Sequence, residues 1–474
     1  MQNSKLLLLL KTFNAGELRA FRDFVASPFF NKNQELVTLY EYLKKQAAKD
    51  FPAAKLERTA VFAAVYPEEK YDEKRLNYAL SLLLKLAERF VGIQQLENSA
   101  MLSDSQLLTV YTERHLDKNY DYIFQQTTER LAAYPFRNEA YYFQKYLLAD
   151  AADAHFSAKN ERRFDPALQQ AADHLDRFYL CKKLKYLCNM LDRQKFIAAN
   201  YQLHGLEAVK SYLSAKDWSH DPAIWVYWQL LQSLLEKEPA AHFKVFRQLL
   251  QTHLPVFSPA EARELYGFAI NFYIQQIRIG EKHYAPDLMA IYREGIDNQV
   301  LLENGQLSPW TFKNVVKLGL GLRQYDWVEQ IVTELSAKLD ADKRADAYHF
   351  NLAELHYHRR NLDQALFYLN QVEFSDVSYH LGAKLMLLKI YFETGATEAF
   401  LSLVSTFRVF LQRNKQVPKE VKMPYLNFVN LLYEIFRSDE TKTAVLKEKI
   451  EQTPMLTGRN WLLGQLPESE FTKL

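Results

Sequence analysis

Apolar residues recur along this chain at the three-and-four spacing of a helix far more often than at the alternating spacing of a strand. Leu265, Phe268, Ala269 and Phe272 form one stripe at i, i+3, i+4 and i+7, and Ile270, Tyr273, Ile274 and Ile277 form a second. A helix apolar on two faces is sandwiched between neighbours. Helix starts carry their own chemistry. Ser258-Pro259-Ala260-Glu261 combines an N-cap hydroxyl, a proline at the first helical position and a glutamate two further on. Together these satisfy backbone N–H groups that a helix start leaves without partners. Asp165-Pro166, Asp221-Pro222 and Ser308-Pro309 repeat the cap-plus-proline signal. The pattern predicts about twenty helices joined by short connections. A long helix after Asp72 runs out in Gln94-Gln95-Leu96-Glu97-Asn98-Ser99, which divides a helical N-terminal unit, residues 1–98, from the remainder, 99–474.

Toward the carboxyl end the helices repeat. Leu352-Ala353-Glu354-Leu355-His356-Tyr357 is followed by Asn361-Leu362-Asp363-Gln364-Ala365. A second copy runs Leu387-Leu388-Lys389-Ile390-Tyr391-Phe392 through Gly395 to Thr397 and Ala399, and a weaker third covers Trp310 to Leu335. Trp327 precedes Leu362 by 35 residues, and Leu362 precedes Thr397 by 35 again. This stretch, about residues 308–412, resembles the tetratricopeptide repeat, whose period is 34 residues. In that family a large and a small residue sit side by side in the first helix, and an alanine in the second lets the backbones approach. The second copy departs from the pattern by displacing that alanine one position.

The resemblance implies an all-α fold, a right-handed α-solenoid of antiparallel helix hairpins, preceded here by the helical N-terminal unit. It also implies a concave groove lined by the first helix of each repeat, at Phe350, Glu354, Tyr357 and His358, then Lys389, Phe392 and Glu393. Phe350 and Glu354 stand where some members carry the lysine and asparagine that grip a terminal carboxylate, so a helix or extended segment is the expected occupant. Glu17-Leu18 leading into Ser27-Pro28-Phe29-Phe30-Asn31-Lys32, with Leu175-Asp176-Arg177 through Lys185, is similar to a group of uncharacterised bacterial helical-repeat proteins. That resemblance bears on architecture and supplies no function.

Composition narrows the reading further. Glycine (13) and proline (15) are scarce in 474 residues, at about half their usual combined share. A turn-rich sandwich, a barrel and a glycine-dependent nucleotide fold are disfavoured. Fifty-nine basic against 57 acidic residues leave a net charge of +2, no global signature for nucleic acid or anionic lipid. The leucine run between Lys5 and Lys11 is too short for a secretory core or a membrane span, so a cytoplasmic protein is expected. Cys181 and Cys188, the two cysteines present, fit neither a redox pair nor a zinc set and are expected as small apolar residues on one helix face.

Candidate chemistry is thin. Gly319-Leu320-Gly321 lacks the third glycine of a dinucleotide loop and lies inside a helical pattern. His349, His356 and His358 are dense, yet no aligned carboxylate or cysteine completes a metal site. Basic and aromatic residues interleave from Arg177 to Lys195, expected as inward aromatics beneath solvated cations. Phe29 and Phe30 in the Ser27–Asn33 loop are expected to pack under the next helix. No cofactor, metal or catalytic motif is read. The expectation is a non-enzymatic scaffold that binds a partner protein or peptide along its repeats. The alternative is a regulator whose N-terminal unit contacts nucleic acid, which a contiguous basic face on residues 72–92 would favour. Partner identity and oligomeric state are not legible.

Overall fold

The computed structural model describes residues 1, 3–159, 163–196, 200–236, 240–372, 377–414, 418–438 and 442–466. Among them are twenty-three α-helices and a single two-stranded hairpin, in which Leu302 pairs with Leu307 and Glu303 with Gln306. The chain is all-α. Its helices are α1 (Lys5–Leu10), α2 (Ala15–Ala26), α3 (Gln34–Ala47), α4 (Arg58–Val65), α5 (Glu73–Asn98), α6 (Ala100–Glu113), α7 (Asp117–Ala132), α8 (Glu139–Ala158), α9 (Ala167–Phe196), α10 (Leu206–Ser214), α11 (Pro222–Leu235) and α12 (Ala240–His253). They continue with α13 (Pro259–Arg278), α14 (Ala285–Asp297), α15 (Pro309–Gly321), α16 (Tyr325–Leu335), α17 (Ala341–His358), α18 (Leu362–Leu369), α19 (Val377–Glu393), α20 (Thr397–Arg413), α21 (Lys419–Arg437), α22 (Thr443–Gln452) and α23 (Arg459–Leu463). None of the described helices is long and apolar enough to cross a membrane.

Two compact units are formed, one by Met1–Leu191 with Asn200–Phe246, the other by Asp192–Ala199 with Arg247–Leu474. Residues 1–98 all lie in the first. There Leu7, Phe21, Leu39, Leu43, Val61, Leu76 and Leu83 belong to a core drawn only from this stretch. The long helix α5 anchors it: Asp72 accepts from the N–H groups of Lys74 and Arg75 at 2.8 and 3.1 Å. Leu76, Ala79, Leu83, Ala87 and Phe90 then turn inward at helical spacing.

The caps read from sequence have two outcomes. Ser258 and Ser308 accept from the N–H groups of Glu261 and Thr311, at 3.4 and 3.1 Å, and open α13 and α15. Asp221 does not cap α11. Its carboxylate accepts instead from the Tyr142 hydroxyl at 2.8 Å and from Arg177 Nε at 3.1 Å.

One turn recurs. His115, Arg323, Arg360 and Gly395 have φ of 56°, 56°, 62° and 67°. The next residues, Leu116, Gln324, Asn361 and Ala396, cap the following helices with φ between −97° and −75° and ψ between 57° and 69°. Each donates its N–H five residues back, to Tyr111, Gly319, His356 and Tyr391, at 2.8–3.0 Å. This closes one helix with a left-handed residue and starts the next in the same step. The pairs so joined, α6 with α7, α15 with α16, α17 with α18 and α19 with α20, pack on each other.

Small residues set how closely. Ala353 on α17 and Ala365 on α18 are fully buried. A Cβ on Gly319 would stand 2.5 Å from Val328 Cγ2. This glycine lies within α15 and admits α16, which accounts for Gly319 without any nucleotide.

Candidate functional site

The residues expected to line a groove belong to α17 and α19 in the second unit, and they do not share one fate. Phe350 is a core residue at 3% exposure. Its ring fills the space over Gly382, where a Cβ would come within 2.8 Å of Phe350 Cζ, and it lies 5.4 Å from the Tyr379 ring. The expectation that it faces a partner is corrected.

Tyr357, Phe392 and Glu393 do meet, around an indole from far along the chain. The Tyr357 hydroxyl donates to Glu393 Oε1 at 2.5 Å, and Trp461 Nε1 donates to the same two atoms at 3.0 and 2.8 Å. Phe392 lies 5.9 Å from the Trp461 ring, and Arg360 donates to Glu393 Oε2 at 2.8 Å. Burial, with Glu393 beside it, pushes the Tyr357 phenol above its ordinary range. This half of the expected lining is held by the chain's own α23.

Glu354, His358 and Lys389 form the other half. Glu354 Oε2 is sealed from solvent and has no hydrogen-bond partner among the described residues. Burial pushes its carboxyl up, opposed by Lys317, Lys313 and Lys389. Burial pushes the Lys389 ammonium down, and Glu354 and Glu393 oppose that. The ammonium rests 5.3 Å from the Trp461 ring centroid. His358 is likewise held down by burial, Lys389 and Arg360, while burial and Glu354 raise Tyr425. Four helices, α15, α17, α19 and α21, therefore bring ionisable groups to one place. Sequence reasoning missed Lys313, Lys317, Tyr425 and Trp461. The i, i+4 lysine pair on α15 was a visible signal, since that spacing shares a helix face; Trp461 offered none.

The remaining candidates resolve locally. His349 and His356 flank Tyr368, with ring centroids 6.4 and 5.4 Å away, and His349 Nδ1 lies 3.1 Å from the Gln371 carbonyl. No described group of three His, Cys, Asp or Glu side chains is placed to hold a metal ion. In the basic and aromatic stretch Lys182 donates to Glu139 at 3.0 Å and Phe178 packs on Phe143. Tyr179 and Tyr186 are half exposed rather than inward. Cys181 and Cys188 are buried, reduced thiols.

In the Ser27–Asn33 loop Phe30 stacks on Phe24 at 4.0 Å, whereas Phe29 is 81% exposed, against expectation. The loop and α5 border a cavity of about 480 Å³ whose walls include Lys32, Lys85 and Arg89 over a floor of Leu36, Leu82 and Leu86. Lys74, Tyr78, Lys85 and Arg89 share one exposed face of α5. Arg75 is withdrawn from that face into ion pairs with Glu35 and Glu69.

Comparison of the chain with models of known protein families, with curated proteins and with solved structures finds no match in any of the three.

Proposed function

We propose that the chain is a cytoplasmic, non-enzymatic scaffold, an α-solenoid of antiparallel helix hairpins that binds a partner protein or peptide on the face formed by α15, α17 and α19. The recurring helix-to-helix turn supports the architecture, since stacked hairpins of this kind present extended surfaces to other chains. The function is carried by Glu354. A desolvated carboxylate with an unbonded oxygen, near three lysines but ion-paired to none, costs stability instead of supplying it. Such a group beside Lys313, Lys317 and Lys389 supports a binding face on which those lysines meet the carbonyls or acids of a partner segment. With Tyr357 and Glu393 engaged by Trp461, the footprint lies toward α15.

The test is affinity purification of the tagged protein from the cells that make it, with and without nuclease, beside the Lys313→Glu, Lys317→Glu double variant. A stoichiometric protein partner that survives nuclease and is lost from the variant is expected. A partner retained by the variant, or released by nuclease, contradicts the reading. The second outcome favours the alternative, in which the exposed basic face of α5 contacts nucleic acid.

A further inference from the structure

The first unit contains a cavity of about 480 Å³ between α8, α9 and the start of α11, within the range of about 300–1,000 Å³ typical of small-molecule sites. Its wall carries Arg137, Lys145 and Arg177 against one carboxylate, Asp173, and that carboxylate already accepts from Gln169 Nε2 at 2.8 Å.

Both guanidinium groups are fixed from behind. Arg177 donates Nε to Asp221 at 3.1 Å and Nη1 to the Asp173 carbonyl at 3.2 Å, which leaves Nη2 uncommitted. Arg137 donates Nη1 to the carbonyls of Tyr134 and Phe136, and its guanidinium lies 4.5 Å from the Tyr141 ring centroid. The Tyr142 hydroxyl donates to the same Asp221 oxygen, Oδ1, at 2.8 Å. Held in this way, the arginines lose little freedom on meeting a ligand.

The site also has unmet demands. Lys145 has no ion-pair or hydrogen-bond partner among the described residues. His174 Nδ1 is sealed and unpartnered. Burial, Lys145 and Arg177 hold this histidine below its ordinary range, with Asp173 and Asp221 pulling the other way. Because Asp221 is diverted to Arg177 and Tyr142, no side chain caps the first turn of α11 beside the cavity.

We infer that this cavity binds a small phosphorylated organic molecule, its phosphate held between Arg137, Lys145 and Arg177. One arginine fork satisfies a planar carboxylate; donors converging from three elements suit a tetrahedral group with three acceptor oxygens and a charge near −2. The cavity is far larger than a phosphate ion, which leaves room for an organic body. This site is separate from the α15–α17–α19 face and does not depend on the scaffold reading.

The experiment is calorimetric titration of the full chain with phenyl phosphate, inorganic phosphate and benzoate at matched ionic strength. Saturable one-site binding is expected for phenyl phosphate, at least about tenfold tighter than benzoate and than inorganic phosphate. Lys145→Gln should weaken it about tenfold and leave the ligand-free melting temperature nearly unchanged, because no hydrogen bond or ion pair among the described residues is lost with the ammonium. His220 is an exposed residue of the same lining whose imidazole can donate to the phosphate, so His220→Ala is a second variant expected to weaken binding should Lys145→Gln misfold. No saturation below about 10 mM, equal affinity for benzoate, or unaltered affinity in the correctly folded variants would overturn the assignment. Binding of inorganic phosphate alone would also overturn it, as a simple anion pocket.

Discussion

Gly319→Ala separates two opposed effects whose sizes can be worked out. Within a helix, alanine in place of glycine is intrinsically favourable by up to about 1 kcal/mol, and Gly319 lies in the last turn of α15. Here the new methyl would stand 2.5 Å from Val328 Cγ2 and 3.3 Å from Trp327 Cζ3, against an optimal carbon separation of about 3.5–4.0 Å. Val328 is fully buried and β-branched, so its other rotamers are strongly disfavoured. The helices α15 and α16 must part, and overpacking of this kind costs about 1–3 kcal/mol. The net expectation is a loss of up to about 2 kcal/mol. Removing the obstacle should reverse the sign: in a Val328→Ala background, Gly319→Ala should be neutral or stabilising by up to about 1 kcal/mol, a coupling of about 2 kcal/mol. A chain of two units need not unfold in one step. The assay is therefore native-state hydrogen exchange of segment 309–335, supported by circular dichroism melting. Stabilisation by Gly319→Ala with Val328 in place would refute the close approach of these helices, and with it the hairpin packing.

Further outcomes follow from the turns and the buried charges. Arg323 is held at φ 56° with its side chain exposed, and Gly395 sits at φ 67°. Arg323→Gly should therefore raise stability, and Gly395→Ala lower it, each by about 1 kcal/mol in melting experiments; opposite signs would mean the turn is not the one described. Glu354 has a raised pKa, so its charged form costs stability above that pKa, and the cost fades as pH falls toward the unfolded value near 4.5. Glu354→Gln should stabilise by about 1–3 kcal/mol at neutral pH and by progressively less on acidification. Destabilisation at neutral pH would show that the lysines require the carboxylate. His155, His174, His356, His358 and His380 are all held below 6.5 by burial. The unfolded chain takes up protons that the folded one refuses, so stability should fall as pH drops below about 6.5. Potentiometric titration that finds no excess proton uptake on unfolding at pH 6 would contradict these assignments.

Features decided within one or two helical turns were legible in the sequence. Ser258 and Ser308 cap because their partners lie three residues ahead, and Gly395 turns the chain because φ is a property of that residue. Features decided by distant partners were not. Asp221 has the spacing of a cap, but Tyr142 and Arg177, 79 and 44 positions away, compete for its carboxylate and win. Phe350 occupies a groove position by register, yet the missing side chain of Gly382 opens a socket that takes its ring. Trp461 reaches Tyr357 across 104 positions and Glu393 across 68, and no local pattern announces either contact. The ionisable cluster was half visible: register placed Glu354 and Lys389, while Lys313 and Lys317 entered only when α15 was set beside α17.

The most direct test of partner binding is site-specific photo-crosslinking in the cells that make the protein. A benzophenone amino acid at Lys317 should form one discrete protein adduct, and the same group at exposed Tyr122 in the first unit should form none. An adduct at both positions alike, or at Tyr122 alone, would contradict the claim that α15, α17 and α19 form the binding face.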